Sequence, residues 1–142
     1  MTDRQFDLTD PTIYTFWMTD RVRFSDQDGS GHINNVAIAA YVETGRVSYM
    51  HEVVLPELRD ETRLIIARLA IDYLKEAHWP GEVRVGTRMI RLGTRSCTIG
   101  SGIFKDDHCI ATAQSVAVYL QGEQSLAIAG AMRERVAALV KA

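Results

Sequence analysis

The chain has 142 residues, of which 46% are hydrophobic and 24% are charged, and its formal net charge is −2. This length and composition fit one globular domain that buries a core without needing disulfides or a metal. The charge balance leaves no basic surface for nucleic acid, and no apolar run approaches the roughly 20 residues of a transmembrane helix. Two cysteines without a C-x-x-C pair, and a polar start instead of a signal peptide, favour a reduced, cytoplasmic protein.

The first half of the chain predicts a strand followed by a long buried helix. Residues 1–11 are polar and are expected to form a loose arm. Residues 13–24 are rich in aromatic and β-branched side chains, which predicts the first strand. After a turn-rich loop, Asn34 or Asn35 can cap a helix. That helix is long and apolar, carries small residues that allow close backbone approach, and is limited by Pro56.

The second half predicts further strands and a closing helix. The predicted elements are strands at 64–74, 83–89, 97–103 and 110–120, a turn at 105–108 and a helix at about 129–141. Ile90 breaks the period-two alternation of its strand, which indicates a β-bulge. Consecutive strands joined by short turns form an antiparallel sheet, and the long apolar helix is the element that can cover it. We therefore expect an α+β fold in which about five strands wrap around the helix, with residues 1–142 forming one domain.

The chemically richest segment is residues 26–35, with the sequence DQDGSGHINN. It concentrates two carboxylates, an imidazole and two amides just before a helix start, where N–H groups and partial positive charge are available. Such N–H groups can stabilise the oxyanion formed on attack at a thioester carbonyl, and a carboxylate opposite could attack that carbonyl or deprotonate water. The same residue types are also ordinary turn and cap residues, so a structural role stays open on composition alone.

The run 22–46, VRFSDQDGSGHINNVAIAAYVETGR, resembles the 4-hydroxybenzoyl-CoA thioesterase-like family of hotdog-fold proteins. The D-x-D-x-x-G motif of that family corresponds to Asp26, Asp28 and Gly31, and the G-H-x-N-N element is similar to plant acyl-carrier-protein thioesterases. The resemblance extends to the later strand patterns. It implies a hotdog fold and hydrolysis of an acyl thioester to the free acid and CoA.

The resemblance also implies roles for individual residues. Asp28, the second Asp of the motif, would be the nucleophile or general base, while helix-start amides around Asn34 and Asn35 polarise the carbonyl. The implied catalytic set is Asp28, His32, Asn34, Asn35 and Glu43, in which His32 and Asn34 orient substrate or water and Glu43 holds a water. The implied substrate-binding residues are Gly31, Ile38, Thr94, Arg95 and Ser96. Ile38 stands where many relatives carry Tyr, so the acyl group stays open, and the segment 94–96 is a CoA-nucleotide contact or simply a solvated turn.

Partners and alternative functions follow from the same resemblance. The substrate would be an acyl-CoA or an acyl-carrier-protein thioester, with no cofactor, no metal, no nucleic acid and no membrane partner. Two subunits of the family share one continuous sheet, so a homodimer or homotetramer is expected. A non-catalytic acyl-thioester-binding module and an enoyl-thioester hydratase or dehydratase of the same fold stay open. The spacing of Asp28 and His32, four apart with no Pro between them, argues against hydration.

Overall fold

The computed structural model describes residues 5–54 and 62–142. The strands are β1 (Phe16–Arg21), β2 (Thr62–Tyr73), β3 (Glu82–Leu92), β4 (Ser96–Lys105), β5 (His108–Gln121) and β6 (Gln124–Ser125). The helices are α1 (Asn35–Tyr49), which continues into a π-helical turn (Met50–Val54), and α2 (Gly130–Lys141). Pro56, the expected limit of the central helix, lies outside the described residues. Over those residues, neither helix combines the length and apolar character that crossing a membrane requires.

The strands form one antiparallel sheet in the order β1-β3-β4-β5-β2, and the short β6 pairs with β5. The concave face of the sheet packs on α1, so that helix and strands share a core. The predicted hotdog arrangement, a sheet of about five strands around a long helix, is therefore confirmed.

The central helix approaches the sheet closely because it carries a glycine where the two elements cross. A Cβ atom at Gly45 would lie 2.6 Å from Val85 Cγ1, which is too close for any side chain. The large residues Tyr41 and Val42 are fully buried on the same face of α1. The small-residue positions expected to allow close backbone approach thus include one that does so directly.

Strand β1 is shorter than the strand predicted at residues 13–24, because a capped 3₁₀ turn lies on each side of it. Before it, a 3₁₀ turn (Pro11–Ile13) begins at Asp10, whose side chain accepts a hydrogen bond from the Thr12 amide. After it, a second 3₁₀ turn (Phe24–Asp26) is closed by Asp26 accepting from the Arg23 amide. The strand predicted from the aromatic content of this region is therefore too long at both ends.

The β-bulge expected at Ile90 is confirmed by a register shift between Met89 and Arg91 where β3 pairs with β4. The shift changes which side chains of β3 face the helix. From Arg91 onward the strand continues in a new phase to Leu92, which is buried.

The N-terminal arm, residues 5–10 here, is not loose where the structure describes it. Leu8 packs on β4 at Gly100, where a Cβ atom would lie 2.7 Å from Leu8 Cδ2. Tyr14 donates a hydrogen bond of 2.6 Å to the Leu8 carbonyl, and the Arg88 guanidinium stacks 4.1 Å from the Phe6 ring centroid. The polar composition predicted an arm without contacts. In the structure the arm packs on the sheet, because a glycine there leaves space for it.

Candidate functional site

The loop between β1 and α1 is tied into a compact turn by its own backbone. Gln27 and Ile33 form an isolated antiparallel bridge. Inside it, the Asp28 amide donates to the His32 carbonyl at 2.8 Å, and the Gly31 amide donates to the Asp28 carbonyl at 3.1 Å. Gly31 has φ +80°, a left-handed conformation that a residue with a Cβ atom adopts only with strain. The backbone conformation at residue 31 therefore favours the glycine of the motif.

The Asp28 carboxylate is exposed and held by the amides of its own loop. Oδ1 accepts hydrogen bonds from the Ser30 amide at 2.8 Å and from the His32 amide at 3.1 Å. These two bonds favour the ionised form and hold the pKa of Asp28 below its ordinary value. Because both bonds end on Oδ1, Oδ2 has no hydrogen-bond partner within residues 5–54 and 62–142. The loop thus presents an ionised carboxylate with one oxygen anchored and the other available.

The start of α1 leaves two amides for an external acceptor. Asn34 is the N-cap: its side-chain oxygen accepts from the Ala37 amide at 2.7 Å, and its own amide donates to the Asp26 carbonyl at 2.8 Å. Of the four amides that a helix start leaves unpaired, those of Asn35 and Val36 find no acceptor in the part of the chain that the structure describes. The sequence analysis predicted that amides around Asn34 and Asn35 polarise the carbonyl. Because Asn34 is the N-cap and its own amide is bonded, the available amides are those of Asn35 and Val36.

His32 sits in a small cluster of charged and aromatic groups. Its Nε2 lies 3.1 Å from Glu76 Oε2, and its ring centroid lies 4.9 Å from that of His78. Both neighbours belong to the loop after β2, which is joined to the site by the Ile33 amide donating to the Ala77 carbonyl at 2.8 Å. Sequence reasoning missed Glu76 and His78, since no local pattern links them to His32. Within the described chain, no three His, Cys, Asp or Glu side chains are grouped as metal ligands.

The first aspartate of the motif connects the loop to the helix. Tyr41 donates a hydrogen bond of 2.6 Å to Asp26 Oδ2, which also accepts from the Arg23 amide at 2.8 Å. Tyr41 is buried against the sheet, and this burial, together with Asp26, raises the pKa of its hydroxyl. Asp26 therefore holds the loop against α1, a structural contribution different from that of Asp28.

Two predicted site residues lie on α1, outside the loop. Glu43 is exposed, 3.9 Å from Arg46, and eight residues beyond Asn35, which is about 12 Å along a helix axis. Ile38 is 5% exposed and belongs to the core between helix and sheet. Ile33 of the loop packs in the same core cluster as Ile38, and the roles expected for Glu43 and Ile38 stay predictions.

The segment 94–96 lies at the far end of the sheet from the candidate loop. The loop follows β1 and adjoins the start of β3, where the Val22 amide donates to the Gly81 carbonyl. Residues 94–96 follow the other end of β3, whose 11 residues span about 36 Å. Arg95 Nη1 donates to the Ser125 carbonyl at 2.8 Å. Within one chain this segment and the loop cannot form one site.

Sequence comparison identifies related proteins over most of the chain. A model of the thioesterase-like superfamily matches residues 22–139. YsmA of Bacillus subtilis, an uncharacterized protein, is 31% identical over 88 residues, which are 62% of this chain and 60% of YsmA. The match therefore spans less than two thirds of that relative.

Structural comparison extends the likeness to almost the whole architecture. A thioesterase of Thermus thermophilus, solved with coenzyme A and zinc, has a TM-score of 0.77 and 30% identity, covering 87% of this chain and 98% of its own. A thioesterase-superfamily protein of Jannaschia sp. CCS1 has a TM-score of 0.79 and 25% identity, with coverages of 92% and 86%. A predicted thioesterase of Bacillus stearothermophilus has a TM-score of 0.77 and 28% identity, with coverages of 88% and 96%.

Proposed function

Because the chain belongs to the thioesterase-like superfamily, we propose that it hydrolyses an acyl-CoA thioester to the free acid and CoA. The observation that carries this proposal is the pairing of two features in one loop. The loop that carries the ionised Asp28 carboxylate, with one oxygen available, leads into a helix start whose Asn35 and Val36 amides find no acceptor among the described residues. A related thioesterase solved with coenzyme A supports CoA as the carrier of the acyl group.

The chemistry divides between the carboxylate and the helix amides. The thioester carbonyl oxygen accepts hydrogen bonds from the Asn35 and Val36 amides, and these bonds strengthen as negative charge develops on it. Asp28 Oδ2 attacks the carbonyl carbon, CoA leaves as the thiolate, and water hydrolyses the resulting mixed anhydride. The alternative is that Asp28 deprotonates a water that attacks directly. The lowered pKa of Asp28 weakens the carboxylate both as a proton acceptor and as a nucleophile, so both roles stay open.

A second copy of the chain would cover this site, which a single chain exposes to solvent. The strand β2 is at the edge of the sheet, and Ile66, Leu69 and Tyr73 on it are 37%, 40% and 49% exposed. A long edge strand with exposed apolar side chains is a site for pairing with another strand. The Tyr73 hydroxyl lies 3.4 Å from the Asn35 carbonyl oxygen, so this edge adjoins the start of α1.

If two β2 edges pair about a two-fold axis, the segment 94–96 of one subunit can contribute to the site of the other. Antiparallel edges place opposite ends of the two sheets side by side. The partner subunit's segment 94–96 would then approach the candidate loop that its own subunit holds far away. Thr94, Arg95 and Ser96 would contact the CoA nucleotide across the interface, and the functional unit would be a homodimer or a tetramer built from it.

The test is a panel of acyl-CoA and aryl-CoA thioesters, with acyl-carrier-protein thioesters as a second arm, assayed by release of free thiol. Asp28→Asn should lower turnover by about 100-fold or more, the range measured for groups that act directly on the reacting atoms. Asp107→Asn, an exposed aspartate in the β4–β5 turn, is the matched control and should retain turnover. Wild-type turnover in Asp28→Asn would remove Asp28 from the mechanism.

The same panel separates the alternative functions. Loss of the enoyl absorbance of crotonyl-CoA without release of thiol would indicate a hydratase. Tight binding of CoA esters without turnover of any substrate would indicate a non-catalytic binding module.

A further inference from the structure

A large cavity lies on the outer face of the sheet, opposite α1. Its volume is about 970 Å³. Successive residues of a strand point to opposite faces, and here Met89 and Ile99 belong to the core under α1 while Thr98 and Val116 line the cavity. At these positions the sheet lies between the outer-face cavity and the core under α1, whereas at the end of β3 the cavity-lining Leu92, Ala137 and Val140 also pack in that core.

The walls of the outer-face cavity are the N-terminal arm and α2, and Arg88 fixes both. Its buried guanidinium donates hydrogen bonds to the Ile13 carbonyl at 2.9 Å, to the Val140 carbonyl at 3.0 Å and to Ala142 O at 2.8 Å. It also stacks on the Phe6 ring. One arginine thus holds the arm on one side and the end of α2 on the other. The cavity is preformed, as binding sites for small molecules usually are.

Basic side chains line the outer-face cavity on several sides. Arg68, Arg91, Arg133 and Lys141 line it, and no Asp or Glu is among its described lining residues. Arg68 pairs with Val116, Val116 with Thr98 and Thr98 with Arg91, so the two arginines end one row across four strands. Three strand spacings separate them by about 14 Å.

Arg68 is exposed at the β2 side of the outer-face cavity. It makes no hydrogen bond or ion pair with any residue of the described ranges, 5–54 and 62–142. It also borders a smaller cavity of about 260 Å³, to which Asp72 contributes. Arg133 is partly committed, since its Nη1 donates to the Gly93 and Ile128 carbonyls at 3.2 and 3.1 Å.

The rest of the lining is largely apolar. The aliphatic side chains on it are Leu8, Ile90, Leu92, Val116, Ala137 and Val140. An apolar floor with cationic groups around it matches a ligand that has an apolar body and a negatively charged group. A volume near the upper end of the range for small-molecule pockets leaves room for an extended chain or a ring system.

We propose that the outer-face cavity binds an anionic amphiphile, with its charged group against Arg68 and its apolar part on the floor formed by Ile90 and Val116. The charged group is a carboxylate, as in a free fatty or aromatic acid, or a phosphate, as in a CoA ester. This second site is distinct from the candidate loop, and it does not require that the loop be catalytic.

The experiment is a titration of ¹⁵N-labelled protein followed by amide chemical shifts. Dodecanoate, dodecyl phosphate and CoA without an acyl chain are the anionic probes, and dodecanol is the uncharged control. At least one anion should shift the amides of Thr98, Gln114 and Val116, while dodecanol binds at least about tenfold more weakly, as expected when a charge-assisted hydrogen bond is lost. Binding of dodecanoate alone identifies a carboxylate site, and binding of CoA identifies a nucleotide site.

A pair of variants on β2 checks the charge. Arg68→Gln should weaken anion binding by about tenfold or more. Arg63→Gln, on the same strand but outside the cavity lining, should leave it unchanged. The proposal is overturned by equal binding of dodecanol, by shifts confined to residues 26–36, or by an unaffected Arg68→Gln. It is equally overturned if Arg68→Gln alters only self-association in sedimentation. Thiol release is not used in this measurement, so its outcome stands apart from that of the proposed hydrolysis.

Discussion

The hydrogen bond from Tyr41 to Asp26 is the link between the candidate loop and the core, and Tyr41→Phe removes it without creating a void. The ring of Tyr41 is 1% exposed, and its hydroxyl lies 2.6 Å from the carboxylate. A hydrogen bond to a charged group contributes about 1.5–3 kcal/mol. Asp26 keeps the Arg23 amide and some contact with solvent, so we expect the lower part of that range. For a chain of this size, about 2 kcal/mol lowers Tm by about 4–8 °C.

The measurement is thermal unfolding by circular dichroism together with thiol release. Tyr119→Phe is the matched control, because Tyr119 is partly buried and its hydroxyl makes no hydrogen bond within the described chain. Tyr41→Phe should also lower kcat/KM by a few-fold, since the loop that carries Asp28 loses an anchor on α1. Equal Tm values for the two variants would show that the Tyr41–Asp26 contact does not hold the loop, and the division of roles between the two aspartates would fail.

Three further outcomes are expected from the site. Because the loop amides lower the pKa of Asp28 below its ordinary value of 3.8, the carboxylate loses its charge only as pH falls through that lower pKa; an acid limb of kcat/KM centred above 3.8 would contradict this. Gly31→Ala forces a Cβ atom into φ +80° and should cost about 1 kcal/mol relative to Gly29→Ala, which carries no such φ, as read from thermal unfolding. Leu69→Lys places a charge on the exposed edge of β2 and should give monomers in sedimentation and low thiol release; a stable dimer with this change would exclude that edge as the interface.

The sequence correctly predicted the features that depend on residues close together in the chain. The alternation in β3, its break at Ile90 and the cap at Asn34 each depend on residues a few positions apart, and each is found in the structure. The parts that sequence reasoning missed depend on contacts between distant segments. Glu76 and His78 reach His32 only because β2 ends beside the loop.

The N-terminal arm is a second case in which contacts with distant segments determine the conformation. Its composition is that of a solvated segment, and nothing within it indicates a binding surface. The surface is supplied by Gly100 on β4, where Leu8 packs, and by Arg88 on β3, over which Phe6 stacks. Partners 82 and 92 residues further along the chain hold this segment in place, so its composition could not determine its conformation.

The two aspartates of the motif differ in what holds them, and this difference should separate stability from catalysis. Asp26 accepts from a buried hydroxyl of α1, so the bond couples loop position to the packed core. Within the described residues, Asp28 accepts from the amides two and four residues ahead of it, in an exposed turn whose bonds an asparagine oxygen can also accept. Asp26→Asn should therefore lower Tm and reduce turnover only in proportion to loop order, whereas Asp28→Asn should leave Tm nearly unchanged and abolish turnover. The opposite pattern would transfer the chemistry to Asp26.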